Sequence, residues 1–369
     1  MFNQNAPIRV ARPKLPSTNY LKHYFEMIDE NRHYSNFGPL VKKFEKNIST
    51  ELGFKSKGVV SSASSGTAAL ELIIRQFQFP SRSNVLVPSF TFIATAQAIV
   101  NAGLKPIFVD VDRVSWALKP EKAVAYINNL NLNIKAIIAV APFGSPIKMD
   151  EWEHFQRKTG IQVIIDAAAC CLKNVPVSNI VPVMVSTHAT KVLPSGEGGL
   201  VIMDDSTRLA EISAQSNFGI TDSGVFNHGT NCKLSEYHAA IGLASIEMWE
   251  STSKELHYRC SLYRELLKDV DEISFLPGFG KSWFNITCMI NGPVGLGEHL
   301  LKAGIETRKW WKTGCHREPF FFKKNQNFSV SETIAETYLG LPMYVDLEPD
   351  KIHFICEHVK NFCSQKSKP

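Results

Sequence analysis

The chain lacks the features that would mark a metal protein, a membrane protein or a nucleic-acid binder. Its eight cysteines include no C-x-x-C pair, and Cys170 and Cys171 are adjacent, a poor arrangement for chelating one zinc ion. All eight read as reduced thiols, several of them in the core. No stretch reaches the roughly 18 apolar residues of a membrane span, and the longest candidates, such as "IKAIIAVAPF", are short enough to be buried strands. The first residues, "MFNQNAPIRVARPKLPS", have no apolar segment of the signal-peptide kind, so a cytoplasmic location is expected. The last, "SQKSKP", read as a frayed tail. Forty Lys and Arg against 35 Asp and Glu leave a net charge of only +5, with no long basic block. That gives nucleic-acid binding little support and suits an anionic small molecule. Internal repeats, low-complexity segments and the G-x-x-x-x-G-K-S/T phosphate loop are also absent.

What is present is ordinary globular material: 369 residues, 44% hydrophobic and 20% charged. That length suits two domains, or one large domain with a smaller one attached. Between about residues 19 and 245, short apolar runs alternate with helical stretches. "NVLVP" (84–88), "KPIFVDV" (105–111), "KAIIAVAP" (135–142), "IQVIIDAA" (161–168) and "VPVMVS" (181–186) are β-branched and continuously apolar, as strands buried on both faces are. "TAALELIIRQFQ", "IATAQAIVNAG", "PEKAVAYINNL" and "MDEWEHFQRKTG" have helical character and helix-end residues. The alternation predicts an α/β fold with a mostly parallel sheet and helices on both faces. A long helical pattern from Leu234 to about Asp269 follows, its apolar side built with Leu234, Ile241, Ile246 and Leu262. "ISFLPGF", "SWFNITCMI", a helix near 297–303, "IETRKWW" and a helix near 349–363 then predict a smaller α+β domain. The expected division is 1–245 and 246–369.

Ligands of parallel sheets sit beyond the carboxyl ends of the strands, so the residues there carry the functional reading. Ser65, Gly66 and Thr67 open a helix after "SKGVVSS". A helix N-terminus offers free N–H groups to a phosphate, although a capped helix start needs no ligand. Asp166 ends the apolar "IQVII" strand, where a carboxylate needs a partner: a ligand, a helix N-terminus or a salt bridge. Ser186 ends "VPVMV", and Lys191 follows it in "STHATKVLPSGEGG". Alone, Lys191 also fits an exposed lysine before a turn. Phe92, in "PSFTFIAT", fits either a ring-stacking residue or a core aromatic. One cofactor would use every part. Pyridoxal phosphate takes a lysine, an acid facing its ring nitrogen and a cradle for its phosphate. Lys191 and Asp166 supply the first two, Ser65, Gly66, Thr67 and Ser186 the third, and Phe92 a face for the ring.

The chain resembles the fold-type-I pyridoxal-phosphate enzymes of the DegT-type nucleotide-sugar aminotransferase family. The resemblance runs in order through "SNFGPLVKKFE" (35–45), "SSGTAAL" (64–70), "VPSFTFIATAQAI" (87–99), "PIFVDVD" (106–112), "VIIDAAA" (163–169) and "STHATKVLPSGEGG" (186–199). It continues in "GTNCKLSEYHAAIGLA" (229–244), "GIETRKWW" (304–311) and "LGLPMYVDL" (339–347). It implies pyridoxal 5'-phosphate as cofactor, with Lys191 as its covalent anchor and as general acid and base. It also implies a homodimer with shared active sites, in which Asn231 reaches the cofactor phosphate of the neighbouring subunit. L-Glutamate is the implied amino donor and a nucleotide-linked 4-keto-6-deoxy sugar the acceptor.

Some positions depart from the family pattern. Ala169 stands where many relatives have Gln, Cys232 where an aromatic is common, and Lys233 where Arg is common; "APFGSP" (141–146) replaces a His-Leu-Tyr-Gly type of segment. With "HATK", these features look most similar to the branch making dTDP-4-amino-4,6-dideoxyglucose (viosamine). That branch implies surface polysaccharide synthesis, including that of O-antigen. A nucleotide-sugar 3-aminotransferase on the same scaffold is the nearest alternative. The family's dehydratases usually carry His in place of the anchoring lysine, so Lys191 argues against them. A non-catalytic protein of the same fold is the alternative from another class.

Overall fold

The structure is a computed structural model that describes residues 7–366 except 55–57, 131, 226, 277, 281–286 and 325. Seven strands form the main sheet: β1 Val60–Ala63, β2 Asn84–Pro88, β3 Lys105–Val109, β4 Ile134–Val140, β5 Gln162–Asp166, β6 Val183–Ser186 and β7 Gly199–Ile202. Their order is β1-β7-β6-β5-β4-β2-β3. Strands β2 to β6 run parallel, and β7 runs antiparallel to both β6 and β1. The expected mostly parallel sheet is therefore present. β7, in which "GLVI" directly follows the glycine-rich stretch, is an addition that the alternation did not reveal.

The apolar runs become strands because they are covered on both faces. Ile137, Val163 and Ile165 belong to one core cluster, and Val85, Ile138 and Ile164 to another. Burying such side chains is the main favourable term in folding. The helices that cover them are α1 Thr18–Asn31, α2 Pro39–Glu51, α3 Gly66–Gln76, α4 Ile93–Asn101, α5 Pro120–Leu130, α6 Met149–Thr159 and α7 Ser206–Ser216. In α2, Leu40, Val41, Phe44 and Ile48 are buried at helical spacing. Pro39 opens that helix where its missing N–H costs nothing.

The long pattern from Leu234 to Asp269 is two helices, not one. α8 spans Glu236–Glu247 and α9 spans Trp249–Leu267, with Met248 between them. Leu234 lies outside both and is fully packed in the first cluster; Ile241 and Ile246 are half-buried against that cluster, and Leu262 against a different one. The apolar positions thus serve two cores, which is why they do not form one continuous stripe.

That other core lies around a three-stranded antiparallel sheet of β10 Ser274–Phe275, β11 Cys288–Asn291 and β12 Tyr338–Leu341. A small hairpin, β8 Ile220–Thr221 and β9 Gly224–Val225, precedes it. α10 Leu296–Lys302, α11 Ser329–Thr337 and α12 Pro349–Lys366 complete the chain. Part of the expected "SWFNITCMI" strand, and Pro277 of "ISFLPGF", lie outside the described residues. The N-terminal segment crosses to this region. Ile8 N–H donates to Gly304 O at 2.8 Å, Glu306 N–H to Ile8 O at 2.9 Å, and Met343 N–H to Val10 O at 3.1 Å. All eight cysteines are buried thiols. Among the described residues no helix is long and apolar enough to cross a membrane, and no His, Cys, Asp and Glu cluster could hold a metal ion.

Candidate active site

The parallel strands β2, β4, β5 and β6 end at one edge of the sheet, and a cavity of about 500 Å³ opens there. Cofactor and substrate pockets have volumes of this order. Ser65, Gly66, Thr67, Phe92, Asp166, Ser186 and Lys191 all line it. Asn231 does not. It is exposed and makes an antiparallel bridge with Asn217.

Asp166 ends β5 and is 5% exposed. Its Oδ2 accepts the Thr95 hydroxyl at 2.7 Å, and its Oδ1 accepts the Ala168 N–H at 3.1 Å. Burial pushes its proton affinity up, while those two hydrogen bonds and the Lys191 charge pull against the rise. None of the described ion pairs includes Asp166, so the salt-bridge reading fails and the carboxylate faces the cavity with donors behind it.

Lys191 sits in a hairpin loop. Ser186, the last residue of β6, pairs with Gly199, the first of β7. Between them Thr187 N–H donates to Gly198 O at 2.9 Å, Ala189 N–H to Gly196 O at 2.7 Å, and Lys191 N–H to His188 O at 2.8 Å. Lys191 is not the exposed lysine of a surface turn. Desolvation lowers the proton affinity of its amine, and the nearby Asp166 and Cys170 only partly oppose that. A neutral amine is thereby brought closer to neutral pH, which a nucleophile or base requires.

The other wall begins at α3. Ser65 caps the helix, its hydroxyl accepting Ala68 N–H at 3.1 Å. The capped-start reading is therefore correct as far as it goes. The cap leaves the first helical N–H groups without intrahelical partners, and the positive end of the helix faces the cavity. Gly66 is required by space: a Cβ there would lie 2.9 Å from Ser186 Cβ and 3.2 Å from Ser186 Oγ. Ser186 and the start of α3 thus close together into one polar corner. Phe92, at the N-cap of α4, is 56% exposed, which excludes the core-aromatic reading.

Several lining residues come from segments whose sequence gives them no individual role: Phe143 from "APFGSP", and Arg308, Trp310 and Trp311 from "GIETRKWW". Phe143 and Trp311 stack at 4.7 Å with rings 9° apart, and Trp310 lies edge-on to Phe143 at 6.1 Å. Both Phe143 (φ 53°) and Trp311 (φ 60°) have left-handed backbones, which bulky residues seldom adopt unless their surroundings impose it. Gly144 shows what imposes it at the first: a Cβ there would meet the Ala169 carbonyl oxygen at 2.4 Å. The "APFGSP" segment is pressed onto the Ala169–Cys170 backbone. Arg12 and Lys14 from the N-terminal segment line the mouth together with Arg308, whose guanidinium covers the Trp310 ring at 4.2 Å. Thr91 and Thr95 follow β2 and lie four residues apart at a helix start, a spacing that by itself does not point to Asp166.

The arrangement fits pyridoxal phosphate on its own chemistry. It offers a buried carboxylate, a desolvated amine and a helix N-terminus with a glycine where no side chain fits.

A model of the DegT/DnrJ/EryC1/StrS aminotransferase family matches residues 18–360. The dTDP-4-amino-4,6-dideoxy-D-glucose transaminase of Shigella dysenteriae is 28% identical over 96% of this chain and 98% of its own. The GDP-perosamine synthase of Escherichia coli O157:H7 is 26% identical over 97% of this chain and 99% of its own. Among solved structures, a putative PLP-dependent aminotransferase from Bacillus cereus superimposes with a TM-score of 0.87 at 26% identity, covering 96% of this chain and 100% of the other. Sequence order, sheet topology and site geometry agree: the chain belongs to the DegT/DnrJ/EryC1/StrS aminotransferase family and is a pyridoxal-phosphate-dependent sugar aminotransferase of fold type I.

Proposed function

We propose that the enzyme transfers the amino group of L-glutamate to a 4-keto-6-deoxy nucleotide sugar. The preferred acceptor is dTDP-4-dehydro-6-deoxyglucose, giving dTDP-4-amino-4,6-dideoxyglucose for surface polysaccharide synthesis in the cytoplasm. The observation that carries the chemistry is the joint presence of Lys191 and Asp166 in one cavity at the strand ends. The choice of sugar rests on likeness to the Shigella dysenteriae transaminase.

Pyridoxal phosphate supplies, when bound, an aldehyde that an amine can hold and a ring that draws electrons from the carbon being aminated. Lys191 would be the amine that holds the cofactor, and its nitrogen would also serve as the general base and acid of the site. Asp166, kept ionised, would face the ring nitrogen and favour its protonated form. Ser65, Gly66, Thr67 and Ser186 would hold the phosphate, and Phe92 would cover the ring. Asn231 serves the neighbouring subunit's site in a homodimer, which accounts for its position away from the cavity of its own chain. The cations Arg12, Lys14 and Arg308 at the mouth suit an anionic substrate.

The decisive experiment is a panel of keto-sugar nucleotides with glutamate. It should include dTDP- and GDP-linked 4-keto sugars and a 3-keto sugar, with 2-oxoglutarate release measured and each product identified by NMR. Turnover only of the 3-keto sugar would replace the proposed reaction with 3-amination. Preference for the GDP sugar would move the substrate toward that of the Escherichia coli O157:H7 relative.

A further inference from the structure

Behind the Asp166 carboxylate lies a two-hydroxyl chain. Thr95 Oγ1 donates to Asp166 Oδ2 at 2.7 Å, and Thr91 Oγ1 lies 2.8 Å from Thr95 Oγ1. Both threonines are 1% exposed, so water does not compete for their hydroxyls. A hydroxyl has one proton to give. Thr95 spends its proton on Asp166, so the proton between the threonines must come from Thr91. The chain has one direction, Thr91 to Thr95 to Asp166, and it ends on an acceptor. A proton on Asp166 Oδ2 would reverse that direction and turn the Thr91 hydroxyl proton away from Thr95.

The segment that carries Thr91 is itself held. Cys315 N–H donates to Ser89 O at 2.9 Å, and the Cys315 thiol donates to Thr91 O at 3.1 Å. Ser89 Oγ hydrogen-bonds His316 Nδ1, and His316 Nε2 meets Glu332 Oε1 at 2.9 Å. Thr91 is thus fixed where its hydroxyl reaches Thr95. The ionisable groups coupled to Asp166 are Lys191 and Cys170. The Cys170 thiol is pushed up to about 12 by burial, so it stays neutral near neutral pH. Lys191 cannot serve as a constant counter-charge in an enzyme that uses its amine covalently.

We propose that Thr95, supported by Thr91, is the positioning residue that keeps Asp166 ionised and aimed at the cofactor ring nitrogen while the charge on Lys191 changes. The second half of this statement rests on the role given to Asp166 above; the first half does not.

Thr95→Val removes the hydroxyl at nearly constant volume, Thr95→Ser restores it, and Asp166→Asn supplies the reference. In the cofactor-free protein, the carboxylic C=O infrared band absent from D166N reports Asp166 protonation across pH. One hydrogen bond to a charged group corresponds to about one to two pH units. T95V should protonate Asp166 at a pH higher by that amount, T91V by less, and T95S close to wild type. Pyridoxal phosphate affinity, measured by equilibrium dialysis, should fall about tenfold to a hundredfold in T95V and recover in T95S. An unchanged Asp166 titration in T95V would overturn the hydroxyl chain. A shifted titration with normal cofactor affinity in both T95V and D166N would overturn the role of Asp166 toward the ring and leave the chain standing. If T95V does not fold, the T91V titration decides: no upward shift there rejects the proposal.

Discussion

Glu236 accepts the backbone N–H of Leu40 at 2.8 Å, across 196 residues of chain, and the N–H of Val41 at 2.9 Å. Its carboxylate is 1% exposed and occupies the N-terminus of α2, while the residue itself begins α8. The helix dipole and two donors together compensate the buried charge. Two of the segments that carry the family resemblance, "SNFGPLVKKFE" and "GTNCKLSEYHAAIGLA", are therefore joined by a structural bond rather than by the cavity. Glu236→Ala should destabilise the protein by about 2–5 kcal/mol, because two buried N–H groups lose their acceptor. Glu236→Gln should cost less. Denaturant unfolding measures both, and a midpoint unchanged in the alanine variant would reject the cap.

Lys191 should be the covalent anchor of the cofactor. Borohydride reduction of the loaded enzyme followed by peptide mapping should place the pyridoxyl group on Lys191. Label on any other lysine would remove it from that role. Lys191→Ala should abolish turnover with thermal stability close to wild type, since among the described residues the amine makes no hydrogen bond or ion pair.

The charge on Asp166 raises the proton affinity of Lys191, against desolvation, which lowers it. An anion favours the ammonium form, so removing the anion favours the free amine. Asp166→Asn should therefore move the Lys191 titration to lower pH in the cofactor-free protein. NMR of the isotopically labelled amine reads this directly. Turnover should also fall by orders of magnitude, as acid–base steps alone are worth about 10²–10⁴-fold.

His316 is completely buried, and burial lowers its proton affinity below the ordinary histidine value. Its folded pKa thus lies below its unfolded one, and the unfolded chain takes up the proton first as pH falls. The stability contribution is complete above about pH 6.5 and is lost as pH drops through the folded value. Thermal unfolding should accordingly weaken on acidification below about pH 6.5, and His316→Gln should flatten that part of the profile. An equal slope in the variant would show that other groups cause the fall.

Asn231 should act across a subunit interface. Lys191→Ala and a non-conservative Asn231 variant, each inactive alone, should regain part of the activity when mixed under conditions that exchange subunits. A mixed dimer collects both defects in one site and leaves the other intact. Absence of recovery, with exchange confirmed by mass spectrometry, would assign Asn231 to its own chain.

Much of this molecule was legible in its sequence, for a physical reason. Strands buried on both faces have to be apolar throughout, so "NVLVP" became β2 residue for residue, and "IQVIIDAA" placed Asp166 at a strand end. Features set by distant partners were not legible. Gly199–Ile202 is a strand because β1 and β6 flank it, and no local pattern announces that. Thr91 and Thr95 look like ordinary helix-start residues until Asp166 is placed beside them. Phe143 and Trp311 are far apart in the chain and meet only through folding. Asn231 differs again, since a single chain does not bring it to its own cavity.

The hairpin that carries Lys191 has a kinetic consequence. Its base is closed by the Ser186–Gly199 pair, and Ser195 N–H donates to Thr187 O at 2.6 Å inside it. With the peptide held on both sides, the amine changes place by rotation about its own side-chain bonds. Side-chain rotations at exposed positions take picoseconds to nanoseconds, and packing around a desolvated side chain such as Lys191 slows them, whereas lid and domain movements take microseconds to milliseconds. If Lys191 anchors the cofactor, its release needs a change of side-chain torsion and no rearrangement of the loop backbone that carries it.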